Sequence, residues 1–379
     1  MVITHYFATG ESQELVKYLK DKIQTLVYIE HPFSFSKKPY SSATIYRKSK
    51  IAETLQAPKV TGPELLLYAK DFLFTLVFVL KIKEKFDVCI AADNLNTFSA
   101  LFLRKIGFIK KVIFFTIDYT PIRFSNKVLN TLYHLLDRYC CYKCNLIWNT
   151  TKAMELERRK KGIEPDKCAP QIVVPNATNF HEIKRFSIDE IDRFNVAFLG
   201  HLRENKGPQL IIEAFPAIIK KVPQAKLLII GTGPLGEKLK ERVAELGIET
   251  HVEFKGFIDS HEEIEKTLAK CAIGVAPYVE DSESFTYYSD PLKPKVYMAT
   301  GLPVVITKVP KIAWEIDENK AGFVINYDVE QLINAVAKLL TNETLYREFR
   351  ENAIALASKF TWSEVFRIAF WEVGLDFGE

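Results

Sequence analysis

The strongest constraint on this 379-residue chain is a repeated alternation of short apolar runs with longer helical stretches. In the first half, Val2–Phe7, Thr25–Glu30, Phe86–Ala92, Lys111–Ile117 and Leu146–Asn149 read as strands. Between them, Glu11–Gln24, Glu64–Lys85, Phe98–Ile106, Lys127–Cys144 and Lys152–Lys161 read as helices. The apolar continuity of Lys111–Ile117 implies burial on both faces of its sheet. Strand–helix alternation of this kind builds a parallel sheet with helices on both sides.

Around residues 180–193 the pattern gives way to a charged, non-periodic connection, and then the alternation begins again. Asn195–Leu199, Lys226–Ile230, His251–Lys255, Ile273–Ala276 and Val304–Ile306 read as strands. Pro208–Lys221, Gly236–Leu246, Glu262–Lys270 and Val329–Leu340 read as helices, and a helical tract over Glu343–Phe360 and Trp362–Val373 closes the chain. The fold class is therefore α/β, with two doubly wound Rossmann-like domains, and 379 residues suffice for two cores. In such domains ligands bind outside the carboxyl ends of the strands.

Charge divides the same way. Residues 1–185 hold 29 Lys and Arg against 17 Asp and Glu, a net of +12. The remainder holds 22 against 30, a net of −8. A basic first half suits an anionic surface such as a membrane, and no aromatic RNA-binding motif or helix-turn-helix argues for nucleic acid. The apolar run Phe72–Ile82 is about half the length of a membrane span and reads as a buried or interfacial helix. Met1–Phe7 lacks the basic start of a signal peptide. Six cysteines, three of them in Cys140–Cys144, form no disulfide framework in a chain of this size and read as reduced thiols of a cytoplasmic protein.

Five loops could carry chemistry. In the run from Ser289 to Val305, a polar turn leads into a short helix, a glycine stop and a buried strand. Asp290 is a candidate cap, Pro291 a helix-start residue and Gly301 a stop, and the helix start offers free amides to a phosphate. The loop from Gly200 to Gly207 combines glycine with His201, Arg203 and Lys206, a set suited to a diphosphate. Gly231-Thr232-Gly233 begins like a dinucleotide fingerprint, but no Asp or Glu clearly ends a second strand some 20 residues later, which argues against an NAD-linked enzyme. The turn at Gly256-Phe257-Ile258 could hold a flat base, and Asp118 ends a strand where it could be a base, an acceptor anchor or a cap.

The order and spacing of these motifs resemble the retaining nucleotide-sugar glycosyltransferases of the GT-B fold, family four, also described as glycosyl transferases group 1. The likeness is specific from about Asn195 to Val373 and only general before that. It implies an acceptor-binding domain over 1–185, a nucleotide-sugar domain over 186–360, and a terminal helix over 361–379 that crosses back to the first domain. Carried over by position, Lys206 acts on the leaving diphosphate and Asp118 lies near the reacting centre, where many relatives have histidine. Gly10, Arg203, Gly231, Phe257, Ile258, Tyr288, Ser289, Asp290, Pro291, Leu292 and Lys293 join Lys206 in holding a UDP- or GDP-linked sugar. The resemblance implies no cofactor beyond the nucleotide-sugar and an acceptor that is a glycan or is lipid-linked. The lack of an Asp-x-Asp motif in a suitable loop implies transfer without a metal, and the basic first half with the Phe72–Ile82 run places it at the cytoplasmic face of a membrane. One departure matters. A glutamate that holds ribose hydroxyls in relatives falls on Val296, and valine accepts no hydrogen bond. A non-catalytic nucleotide-sugar or glycan-binding protein is therefore the alternative.

Overall fold

The computed structural model describes residues 1–6, 10–33, 36, 39–280 and 288–375. They form two compact units, one of residues 1–175 with 362–379 and one of residues 176–361. The break falls ten residues before the expected boundary between 185 and 186. Asn176 and Thr178 are already bonded into the second unit, Asn176 N to Asp290 Oδ2 at 2.7 Å and Thr178 N to Phe360 O at 2.9 Å.

The first unit is an eight-stranded sheet in the order β4-β3-β2-β1-β5-β6-β7-β8. Its strands are β1 (Val2–Tyr6), β2 (Thr25–Pro32), β3 (Ser42–Arg47), β4 (Lys50–Gln56), β5 (Phe86–Ala92), β6 (Ile109–Thr116), β7 (Leu146–Asn149) and β8 (Gln171–Val173). Phe7, the expected end of β1, lies outside the described residues. The helices are α1 (Glu11–Lys20), α2 (Glu64–Ile82), α3 (Asp93–Lys105), α4 (Lys127–Lys143) and α5 (Lys152–Lys160). From β1 the chain crosses one way through α1 to β2, and from β5 it crosses the other way through α3 and α4. Right-handed crossovers therefore put α1 on one face and α3 and α4 on the other. Helix α2 packs beside α3 on that second face.

Besides the short edge strand β8, which was not read as a strand, two features depart from the sequence reading. The sheet is not wholly parallel, because β3 and β4 form an antiparallel hairpin on its edge. Their turn is made by Lys48 and Ser49 at φ 48° and 69°, without the Asn-Gly or Asp-Gly that usually signals such a turn. Helix α3 starts at Asp93, five residues before the expected Phe98. Asp93 itself sits at φ 66°, so the chain turns from strand to helix without a loop.

The second unit is wholly parallel, with strands β9 (Asn195–Leu199), β10 (Lys226–Ile230), β11 (Val252–Gly256), β12 (Ile273–Ala276), β13 (Val304–Thr307) and β14 (Gly322–Ile325). Their order is β11-β10-β9-β12-β13-β14, so the winding reverses between β9 and β12. Helices α6 (Pro208–Lys221), α7 (Gly236–Glu245), α8 (His261–Leu268), α9 (Leu292–Ala299), α10 (Ile312–Glu318), α11 (Val329–Thr341) and α12 (Glu343–Ala357) cover it. Successive strand residues feed opposite cores: Val196 and Phe198 go to one, Ala197 to the other. Helix α13 (Trp362–Trp371) belongs to the first unit, where Phe370 stacks on Tyr18 of α1 and meets Trp148 edge-on.

Candidate functional site

In the second unit, the loops after β9, β10 and β11 are tied together by their backbones. Gly200 N bonds Ile230 O at 2.9 Å, Leu202 N bonds Thr232 O at 3.0 Å, and Gly231 N bonds Gly256 O at 2.7 Å. This explains Gly231 differently from the sequence reading. A Cβ at Gly231 would lie 1.9 Å from Gly200 O, and one at Gly233 would lie 2.5 Å from Leu202 O. The close approach these glycines permit is that of the neighbouring loop. Gly207, at φ 72°, is likewise required: a Cβ there would stand 1.8 Å from Pro277 O.

The tied loops hold a group of cations at the winding reversal, where parallel α/β sheets bind ligands. Lys206 lies in the turn leading to α6, its Nζ 5.4 Å from the centre of the Tyr278 ring beyond β12. Lys293, in the first turn of α9, brings its Nζ to 3.0 Å from where a Gly200 Cβ would be. Burial, reinforced by Arg203, lowers Lys206 to about 8. Burial, reinforced by Lys206, lowers Lys293 to about 7. His201 is also lowered, by burial first and then by Arg203, Lys293 and Lys206. Cations held this close raise one another's energy, and a bound anion removes that cost. The site is therefore built for negative charge.

The run around α9 is placed otherwise than its sequence suggests. The helix begins at Leu292, Pro291 stands at its cap position, and no side chain caps it. Asp290 is not the cap. Its Oδ2 accepts from Asn176 N and pairs with buried Lys295 Nζ at 2.6 Å, while Lys295 also donates to Asn176 O at 2.6 Å. These bonds fix the turn that carries Tyr288 and Ser289, both buried, next to residues 281–287, which lie outside the described residues. Gly301 ends the helix as expected, at φ 89°, with Leu302 N bonded to Tyr297 O. Val296 packs in the core beneath the site, so the valine serves packing. Ile258 also packs against that core, whereas Phe257 is 69% exposed.

Tyr297 was not legible in the sequence. Its buried hydroxyl accepts from Leu199 N at 2.5 Å and donates to Val275 O at 3.3 Å, joining β9 to β12 at the reversal. Gly274 leaves room for its ring: a Cβ there would lie 2.3 Å from Tyr297 Cγ.

The first unit carries a cavity of about 540 Å³ at its own winding reversal, between β1 and β5. Gly10, Asp93 and Asp118 are on its wall. Beneath it lies a buried cluster the sequence reading missed. His5 Nδ1 donates to Asp93 Oδ2 at 2.7 Å, and His5 Nε2 donates to Asp71 Oδ2 at 3.2 Å. Asp71 Oδ1 pairs with Lys70 Nζ at 2.7 Å. Burial opposes charge on His5, but Asp93 and Asp71 outweigh it and raise the imidazole to about 9. Neighbouring His31 is driven the other way, to about 3, chiefly by burial, and bonds Ser41 and Thr75. Asn96 Nδ2 donates to Asp93 Oδ2 and to Ala92 O. Asp93 is thus a carboxylate held in strained backbone by an imidazolium, and its outer part faces the cavity. Asp118, just beyond the end of β6, lies on the cavity wall with its side chain exposed. Desolvation raises its pKa, Arg123 works against that, and Asp93 adds to it. All six cysteines are free thiols.

Solved structures with this arrangement are GT-B proteins. Anabaena HepE in complex with UDP matches with a TM-score of 0.69 at 16% identity, over 99% of this chain and all of that one. Sucrose-phosphate synthase from Thermosynechococcus elongatus matches with a TM-score of 0.69 at 15% identity, over 98% of each. The chain has the GT-B fold. Residues 193–342, less than half of the chain, match the family model described as glycosyl transferases group 1. Among curated relatives, D-inositol 3-phosphate glycosyltransferase of Corynebacterium jeikeium is 27% identical over 57% of this chain and 54% of its own length. A GDP-mannose-dependent alpha-(1-6)-phosphatidylinositol monomannoside mannosyltransferase of Mycobacterium tuberculosis is 26% identical over 54% of this chain and 50% of its own length. The chain spans about half the length of these two relatives, or 24% in the case of poly(glycerol-phosphate) alpha-glucosyltransferase of Bacillus subtilis.

Proposed function

We propose that this chain transfers a sugar from a nucleoside-diphosphate sugar to a glycan or lipid-linked acceptor, with retention at the anomeric carbon and without a divalent metal. The observation that carries the reading is the convergence of Lys206, Lys293, Arg203 and His201 on the winding reversal of the second unit. As the bond from the anomeric carbon to the phosphate oxygen breaks, its electron pair goes to the diphosphate. The two ammonium groups and the first amides of α9 take up that charge, the role a metal ion plays elsewhere. The acceptor hydroxyl forms the new bond on the face the diphosphate leaves, and its proton passes to the departing phosphate oxygen. In the first unit, Asp118 and Asp93 are the carboxylates available to hold an acceptor hydroxyl. Gly10 supports the same reading: among the described residues a Cβ there would meet only Gln13 Oε1, at 3.8 Å, so local packing does not require glycine. The basic first unit favours acceptors held at an anionic membrane surface.

HepE was solved with UDP, and one relative uses GDP-mannose, so both nucleotides belong in the test. Thermal shift with UDP, GDP, ADP and their sugar conjugates should show one nucleotide stabilising the protein, by about 2.7 kcal/mol at 100 times its dissociation constant. Lys206→Ala should abolish the shift. NMR of the product anomer then tests retention, and added chelator tests metal independence. Val296 supports a second reading, a protein that binds the donor without transferring it. Donor binding with neither hydrolysis nor transfer to any acceptor would favour that reading.

A further inference from the structure

Helices α2, α3 and α4 lie side by side on one face of the first unit's sheet, and their outer surface is apolar. On α2 the exposed residues Leu66, Leu73, Val77 and Leu80 follow one helical stripe, Leu73 being 56% exposed. On α4 the exposed residues Val128, Leu132, Leu135 and Tyr139 follow another, Val128 being 67% exposed. Phe102 of α3 and Ile106, the residue that ends it, are exposed beside the stripes. Phe72 of α2 meets Phe102 edge-on at 5.5 Å, and Phe98 of α3 meets Tyr139 at 5.9 Å, so the three helices present one continuous surface. A soluble monomer rarely leaves such a surface open without a use for it.

The charges around this face are arranged for an anionic partner. All three helices run against the parallel strands, so their C-termini lie at one end of the sheet. Lys81 in the last turn of α2, Lys83 and Lys85 just after it, Lys105 of α3 and Lys143 of α4 are all exposed there, and Glu84 among them is paired with Arg47. Asp71 in the middle of α2 and Asp137 in α4 are buried. An apolar stripe edged with lysines is the pattern of a helix lying in a lipid headgroup layer. Among the described residues no helix is long and apolar enough to cross a membrane. A second copy of the chain fits the face less well, because a two-fold contact would bring both lysine rows into one interface.

We propose that the first unit docks on an anionic lipid bilayer through the α2–α3–α4 face. Leu65 and Leu132 stand on this face and also line the 540 Å³ cavity, so the cavity opens where the bilayer would lie. The docking is independent of the transferase reading. What rests on that reading is the corollary that an amphiphilic acceptor enters sideways from the bilayer, its polar end toward Asp93 and Asp118.

The test is co-sedimentation of the full chain with phosphatidylcholine vesicles, plain or containing phosphatidylglycerol, beside analytical ultracentrifugation. The wild type should partition at least about tenfold more strongly onto the anionic vesicles, and less so at high salt. Leu73→Glu/Val77→Glu and, separately, Lys81→Glu/Lys105→Glu should each lower that partition by about tenfold or more. Both variants should keep the wild-type melting temperature and the nucleotide-induced shift, which separates failure of docking from failure of the donor site. Equal or absent binding to both vesicle types would overturn the proposal. So would a wild-type dimer that Leu73→Glu/Val77→Glu converts to monomer while vesicle binding is unchanged, since the face would then belong to a second copy.

Discussion

The two units have the same topological opportunity, a winding reversal at strand C-termini, and build on it with different materials. In the second unit, backbone shapes the site: glycines let three loops touch, and cations project from the framework they make. In the first unit, side chains shape it: an imidazolium, two carboxylates and a lysine drawn from three distant segments. A site made of backbone tolerates almost no added atom. One made of a charge cluster depends on its partners and on pH.

Glycine substitution should separate the units most sharply. Gly231→Ala puts a methyl 1.9 Å from Gly200 O at a backbone angle that favours glycine, so a loss of more than about 4 kcal/mol is expected. Calorimetry should show the second unit's transition lost or greatly lowered. Gly10→Ala in the first unit should change stability by less than about 1 kcal/mol, since among the described residues only Gln13 Oε1 is near. Similar losses from both substitutions would end the contrast.

The next largest effect is expected at Asp71. Asp71→Asn leaves His5 and Lys70 without their shared carboxylate and should cost about 3–5 kcal/mol, read from urea unfolding. The pH dependence has a definite sign. His5 is raised from 6.5 to about 9, so the stability it contributes is complete below pH 6.5 and is lost as pH rises through 9. A melting temperature that falls from pH 6.5 to 9.5 in the wild type, but falls less in His5→Gln, is the expected result.

The same difference in materials decides what could be read from the sequence. The second unit's loops were legible because glycines and cations at strand ends keep a fixed local spacing, as in Gly200 to Gly207. What stayed hidden there was the reason for Gly231, since only the fold brings Gly200 O against it. The role of Asp290 was hidden too, because its carboxylate bonds Asn176, which is far away in the chain. In the first unit, His5, Asp71 and Asp93 lie in separate elements, so no local spacing announces them. The β3–β4 hairpin escaped for a local reason, its turn having Lys48 and Ser49 where glycine or asparagine is usual. The inner parallel strands, by contrast, were readable in both units because burial on both faces leaves uninterrupted apolar runs, whereas the short edge strands β8 and β14 were not read.

Lys293 tests whether the cation group is poised for an anion. Lys293→Met should weaken nucleoside-diphosphate binding by about 1.5–3 kcal/mol, the worth of a charged hydrogen bond, as measured by calorimetry. It should also slightly stabilise the unliganded protein, because it removes an ammonium held below its ordinary pKa. The same shift sets two opposite pH trends. Between pH 6.5 and 9 the unliganded second unit gains stability, since the unfolded chain then holds the more protons, while nucleotide affinity falls as Lys293 and Lys206 discharge. Titrations in buffers of different ionisation enthalpy should record proton uptake on binding. Affinity that is flat over this range would mean these lysines do not meet the phosphates.

The smallest effect on the fold is expected at Phe257, where the sequence reading and the exposure of the side chain pull apart. Phe257 follows Gly256 at the end of β11, and its ring is 69% exposed, so Phe257→Ala should alter stability by no more than about 0.5 kcal/mol. A base-pocket role requires that this ring cover a nucleobase when donor binds. Losing that contact should weaken the nucleotide by about 1 kcal/mol, the low end for stacking on an aromatic side chain. Ribose 5-phosphate, which has no base, should bind wild type and variant alike. If the variant binds nucleotide as well as the wild type does, base recognition falls to the backbone after Gly256, and the second unit's site is one of backbone and cations throughout.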